Sequence, residues 1–226
     1  MVNAAAQFRL PFEPAVSWTR DSFVRSGSNA YALEALDGWI DGGRGPFALI
    51  GPEGSGKTHL AQAWADEAGA QFVLAGQEPS AEGYGPVLIE DADLSIQGEP
   101  LFHLLNQAAA GRQVLLTSRE RPLAWATPLP DLRSRLNALP VAELMPPDDA
   151  LLIAVLDRLF KARHIRPDPD LYPYLLVRME RSVTAAGRLA ARMDEASGST
   201  GRRVSKALAR ELLEDTADLF DESDSR

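Results

Sequence analysis

One run of residues carries most of the chemistry legible in this chain: Gly51-Pro52-Glu53-Gly54-Ser55-Gly56-Lys57-Thr58. It satisfies G-x-x-x-x-G-K-[ST], the pattern of a phosphate-binding P-loop. Gly51, Gly54 and Gly56, with Ser55 between them, let backbone N–H groups turn inward around phosphate oxygens. The positive end of the following helix adds to that field. Lys57 is expected to bridge the β- and γ-phosphates and Thr58 to ligate Mg²⁺. Such a loop needs an acid on a neighbouring strand. Val87-Leu88-Ile89-Glu90-Asp91 supplies an apolar run and then two carboxylates, Glu90 for the metal and Asp91 to polarise the attacking water. The common order places Asp first. Glu is one methylene longer, so metal geometry is expected to change and hydrolysis to slow. Asp93 is a third candidate carboxylate and reads more simply as solvated loop charge. Leu115-Leu116-Thr117-Ser118 ends a further strand on a polar tip. Ligands of such sheets sit outside the carboxyl ends of the strands. Thr117 or Ser118 is therefore a candidate for contact with the γ-phosphate or the catalytic water, and Ser118 is placed in the catalytic set. A strand-end cap is the structural alternative.

The elements that must hold these groups follow from periodicity. Phe47-Ala48-Leu49-Ile50 reads as a buried strand before the loop, and Lys57 to Ala68 as a helix after it, with Leu60, Ala61, Trp64 and Ala68 on one face and Gly69 past its end. Leu33, Leu36, Trp39 and Ile40 mark an earlier helix, capped by Ser28 and stopped at Gly42 and Gly43. Phe72–Leu74, Val87–Ile89 and Val114–Thr117 read as strands. Leu101, Leu104, Leu105 and Ala108 form a helical face ending at Gly111. This order implies a parallel sheet with helices on both faces. From Pro146 onward no strand signal intervenes. Asp148 or Asp149 caps a helix bearing Leu151, Leu152, Val155, Leu156, Leu159 and Phe160; further helices start at Asp168-Pro169, Ser182 and Ser205. The expected organisation is an arm over 1–17, an α/β domain over 18–145, a helical domain over 146–216 and a disordered acidic tail over 217–226.

Composition bounds the function. The chain of 226 residues has 45% hydrophobic and 24% charged residues, an ordinary globular balance, and no cysteine, which removes disulfides and thiolate chemistry. With 23 Lys+Arg against 32 Asp+Glu the net charge is −9, which argues against a broad, sequence-neutral nucleic-acid binder. The charge is uneven: −7 over residues 1–145, +4 over 146–210 and −6 over 211–226. No basic leader or membrane-length apolar run is present, so a cytoplasmic protein is expected.

Taken in order, Gly54-Ser55-Gly56-Lys57-Thr58-His59-Leu60, Ile89-Glu90-Asp91-Ala92, Leu116-Thr117-Ser118-Arg119 and Leu132-Arg133-Ser134-Arg135-Leu136 resemble the ATPase core of the DnaA-related AAA+ proteins, over roughly residues 18 to 215. That family pairs an AAA+ P-loop NTPase α/β domain with a small helical lid. The resemblance implies an adenine nucleotide, ADP or ATP, with Mg²⁺. It favours the short, Hda-type regulators over the initiator DnaA itself, because no room is seen for a DNA-binding domain after the lid. Gln7-Phe8-Arg9-Leu10-Pro11-Phe12 also looks like the peptide by which such regulators bind the replication sliding clamp, with Gln7, Leu10 and Phe12 as anchors. Packing of Phe8, Leu10 and Phe12 on the chain's own domain is the alternative.

Further roles come with the resemblance. Arg135 matches the arginine finger offered to a neighbouring subunit's γ-phosphate, while Arg133 is assigned to a surface salt bridge. Phe23, Val24 and Asn29 lie in the segment that packs on adenine. The lid departs from the family pattern: Thr184 stands where an arginine is usual, and Arg181 or Arg188, taken to share its helical face, are the candidates to reach the phosphates. With Glu90 and Thr184 in those positions, weak ATPase activity of the chain's own is expected. The implied function is to dock on the clamp and stimulate hydrolysis of DnaA-bound ATP, a negative control of initiation, with self-association as a further implication. Two other readings compete: an AAA+ helicase loader using its own ATP cycle, and a DNA scaffold resting on Arg158, Lys161, Arg163 and Arg166. Those bases read more simply as the solvated face of a lid helix.

Overall fold

The computed structural model describes residues 18–73, 85–200 and 202–221. The arm with Gln7, Leu10 and Phe12 lies outside them. A parallel sheet of β1 (Pro46–Ile50), β2 (Gln71–Val73), β3 (Val87–Ile89), β4 (Val114–Ser118) and β5 (Val141–Glu143) runs in the order β2-β3-β4-β1-β5. The first strand is therefore interior, between β4 and the edge strand β5. Its register with β4 sets Ile50 beside Ser118, so the loop leaving β1 starts at the tip of β4. The side chains of these strands are apolar in both directions because both faces are covered. Phe47, Leu49, Leu88 and Leu115 pack on α1 (Ala30–Gly42) and α2 (Lys57–Ala68). Ala48, Ile50, Ile89, Val114 and Leu116 pack on α4 (Gly98–Ala109) and α5 (Pro130–Asn137), with the short α3 (Ala92–Ser95) preceding them.

Beyond β5 the described residues form only helices: α6 (Asp149–Ala162), α7 (Leu171–Leu176), α8 (Val183–Thr200) and α9 (Lys206–Asp221). They bury a core of their own around Leu152, Leu156, Phe160, Leu175, Leu189 and Met193. The fold is thus a five-stranded parallel α/β sheet covered by helices on both faces, followed by a helical C-terminal region.

Several expectations are corrected. Asn29, not Ser28, occupies the cap position of α1, and its side chain makes no cap bond. Ser28 instead gives its N–H to Asp148 Oδ2 at 3.0 Å, and its carbonyl accepts from Met145. Helix α7 starts at Leu171, after Asp170 rather than Asp168. The last helix does not stop at residue 216 but continues to Asp221, led by Leu212 and Leu213 packed on the helical core. Strand β5 and helices α3 and α5 were not foreseen as elements.

Candidate functional site

The loop Gly51–Gly56 runs from β1 into the first turn of α2. Gly51 N–H donates to the Ser118 carbonyl at 3.3 Å, seating the loop on the tip of β4. The Lys57 ammonium is folded back, donating to the carbonyls of Gly51 at 2.8 Å and Pro52 at 2.9 Å. Burial pulls its pKa below the usual lysine value; the carboxylate of Asp91 opposes this, and the guanidinium of Arg119 adds to it. Ser55 Oγ is buried without a hydrogen-bond partner in the structure. Thr58 is exposed at the same helix start.

Two glycines fit only because they lack a side chain. Gly54 has φ +70°, and a Cβ on it would lie 2.3 Å from Ser182 Cβ. The Gly54 carbonyl accepts from the Val183 N–H at 2.9 Å, so the start of α8 rests on the loop. Ser182 caps that helix, its hydroxyl accepting from Ala185 N–H at 3.0 Å. Gly56 has φ +101°, and a Cβ there would meet the Phe23 ring at 2.9 Å. Phe23 also stands edge-on to His59, with centroids 5.3 Å apart. Burial lowers the His59 pKa, although its ring nitrogen sits 3.0 Å from the Thr19 carbonyl.

The acidic strand end divides its two carboxylates. Glu90 points to the α2 side, where Gln62 donates to its Oε2 at 3.4 Å; its Oε1 is buried with no partner. Ser95 donates to the Glu90 carbonyl at 2.8 Å. Asp91 is exposed in the left-handed region, φ 45°, and its N–H donates to Thr117 Oγ1 at 3.1 Å. Thr117 therefore positions the Asp91 backbone. The Ser118 hydroxyl, fully buried, donates to the Glu120 carbonyl at 2.7 Å and closes the turn after β4. Glu90, Asp91, Lys57 and Thr58 are thus gathered at one end of the sheet.

The outer candidates are placed as follows. Val24 gives its carbonyl to Asn29 Nδ2 at 2.8 Å, and Asn29 Oδ1 accepts from Ser26 N–H at 2.9 Å. Buried Asn29 thus braces the loop that carries Phe23. Arg181 precedes α8, so it does not share a helical face with Arg188; it pairs with Asp149 at 2.7 Å and donates to the Pro147 carbonyl. Arg188 is exposed and pairs with Glu180 at 3.5 Å. Arg133 donates to the carbonyls of Leu123 and Thr127, a loop brace rather than the expected salt bridge. Arg135, half-buried on α5, lies over the Phe102 ring at 5.4 Å. Arg158 is not simply solvated: it donates to the carbonyls of Asp21 and Ser22, at 3.2 and 2.9 Å, and ties α6 to the segment before Phe23. Lys161 pairs with Asp157 on its own helix, and half-buried Arg163 donates to the Leu159 carbonyl and lies 4.0 Å from Asp194. Gln62, Ser182 and Arg158 were missed as site residues because each acts through a long-range contact that spacing does not encode.

No family model matches the chain. Among curated proteins it is similar to the chromosomal replication initiator protein DnaA of Caulobacter sp. (strain K31), with 32% identity over 177 residues, covering 64% of this chain. The chain is homologous to DnaA. It spans only about a third of that relative's length, 36%. Its structure resembles domain III of DnaA from Thermotoga maritima, at TM-score 0.72 and 21% identity, covering 88% of this chain and 96% of that one. It also resembles a replication initiator DnaA bound to AMPPCP and single-stranded DNA, at TM-score 0.65 and 18% identity, covering 92% and 72% respectively. Among the described residues no helix is long and apolar enough to cross a membrane.

Proposed function

We propose that the chain binds an adenine nucleotide, ADP or ATP, with Mg²⁺ in the Gly51–Thr58 loop, and acts as a DnaA-related regulator. In this reading it docks on the sliding clamp through Gln7, Leu10 and Phe12 and presents Arg135 to ATP held by DnaA, stimulating its hydrolysis. The observation that carries the reading is the loop, which leaves an interior strand of a DnaA-like sheet beside the tip of β4. Its donors suit phosphate: Ser55 Oγ has no partner, and Lys57 holds only loop carbonyls it can exchange. Thr58 and Glu90 would hold Mg²⁺, the latter through its unpartnered Oε1. Bound with the nucleotide, the ion supplies positive charge to the phosphate oxygens.

The chain's own residues then divide the work. Phe23, fixed over Gly56 and braced by Asn29, bounds the base side. Ser182 and Val183 hold the loop from the helical region. Asp91 faces solvent at the phosphate end on a backbone fixed by Thr117. The Arg135 guanidinium rests on an aromatic face with no carboxylate or hydrogen-bond partner among the described residues, and so is available to a phosphate on another molecule. An arginine delivered in trans can raise a hydrolysis rate ~10³-fold or more.

The test is a reconstituted assay of DnaA-bound ATP hydrolysis with clamp-loaded DNA. Stimulation is expected with the wild-type chain, lost with Arg135→Ala and with Gln7→Ala/Leu10→Ala/Phe12→Ala. Stimulation unchanged by Arg135→Ala would overturn the finger role, and none in the wild type would overturn the regulatory reading.

A further inference from the structure

Arg119 follows directly on the β4 tip that seats the P-loop, and its guanidinium reaches back over that loop to Glu53, with Nη2 3.1 Å from Oε2. Glu53 is itself a loop residue, so the pair ties the residue after β4 to the phosphate loop. Both side chains are more than half exposed, 54% and 72%, so water screens the pair and it is easily exchanged. The same guanidinium is near enough to depress the Lys57 pKa. Two cations therefore meet one loop: Lys57, buried on its carbonyls, and Arg119, held by the Glu53 carboxylate.

From this geometry we infer that Arg119 is a phosphate-contacting residue acting within the same chain, parked on Glu53 and transferred to the terminal phosphate of a bound nucleoside triphosphate. The inference rests on the nucleotide-binding reading. Arg119 follows the end of β4 rather than belonging to the loop, so it reaches the loop from a different element than Lys57 does. A planar guanidinium can grip phosphate oxygens in a two-pronged way that the compact ammonium of Lys57 does not. A triphosphate has the terminal group to receive it, and a diphosphate ends short. Arg119 thereby makes the site favour triphosphate over diphosphate. Glu53 competes for the same guanidinium and tempers that preference. The exchange breaks one ion pair and forms another, with no change in covalent bonds or proton count.

The experiment titrates the full chain with fluorescent ATP and ADP analogues in the presence of Mg²⁺. Arg119→Ala is expected to weaken triphosphate binding roughly 10-fold, the loss of a charge-assisted hydrogen-bonded contact, with little change for the diphosphate. Arg119→Lys is expected to recover part of the loss, and Glu53→Gln to tighten triphosphate binding selectively. Circular dichroism of each variant guards against unfolding, which would lower both affinities together. Wild-type binding with an unchanged triphosphate-to-diphosphate ratio in Arg119→Ala and Glu53→Gln would overturn the role of Arg119 alone. Absence of binding by the wild type itself would overturn the nucleotide reading beneath it.

Discussion

At the scale of single residues the site depends on what is missing as much as on what is present. Gly54 sits at φ +70° with Ser182 where its Cβ would be. An alanine there must accept a left-handed backbone and push the start of α8 away from the loop. Gly54→Ala is expected to cost about 1–3 kcal/mol and to speed hydrogen exchange of the Val183 amide, which now donates to Gly54. Gly38 is the contrast, since it lies within α1 and a Cβ would meet nothing within 4 Å. Gly38→Ala is expected to stabilise by roughly 0.5–1 kcal/mol through helix propensity. Thermal denaturation of the two variants reads both signs; equal shifts would show that the Gly54–Ser182 contact carries no weight. Arg135 and Arg133 show how chemistry at this scale escapes sequence. The two are near neighbours on α5, yet one lies over an aromatic ring and the other braces loop carbonyls.

At the scale of elements, Asp148 joins the two parts of the molecule. It caps α6 by accepting from Leu151 N–H at 2.7 Å and also accepts from Ser28 N–H, just before α1. These bonds, led by that from Leu151, hold its carboxyl below the usual aspartate pKa. A carboxylate depressed on folding stabilises above its unfolded value, near 3.8, and that stabilisation is lost as pH falls through the folded value. Asp148→Ala is expected to cost about 1 kcal/mol at pH 7. The difference between variant and wild type should shrink in urea titrations carried progressively below the unfolded pKa. A difference that persists unchanged in strong acid would assign the effect to packing instead. The cap was legible because Asp148 precedes an unbroken amphipathic run. Strand β5 was not legible: Val141-Ala142-Glu143 is short, and only Ala142 is fully buried. Its pairing with β1 comes from the sheet, not from its own pattern. Likewise Arg158 lies on the polar side of α6, and nothing local indicates that backbone carbonyls at Asp21 and Ser22 await it.

At the scale of the whole molecule, the sheet order brings together groups far apart in sequence: the Gly51–Thr58 loop, Glu90 and Asp91, the β4 tip, and Ser182 from the helical region. The loop and the strand before it were readable because a glycine-rich turn between an apolar strand and a helix has few other uses. The contribution of the helical region was not, since Ser182 announces a helix start without saying what it touches. The net charge of −9 falls mainly on the α/β domain and the last residues, leaving the helical region positive over 146–210. Part of that positive charge is internal, because Arg158, Arg163 and Arg181 are engaged by the protein itself. The central claim is that this architecture holds an adenine nucleotide, and the nucleotide content of the purified chain tests it most directly. Mass analysis of small molecules released on denaturation should find ADP or ATP in near-stoichiometric amount with the wild type and essentially none with Lys57→Ala. A wild-type chain that carries no adenine nucleotide and takes none up when ATP or ADP is supplied with Mg²⁺ would contradict it.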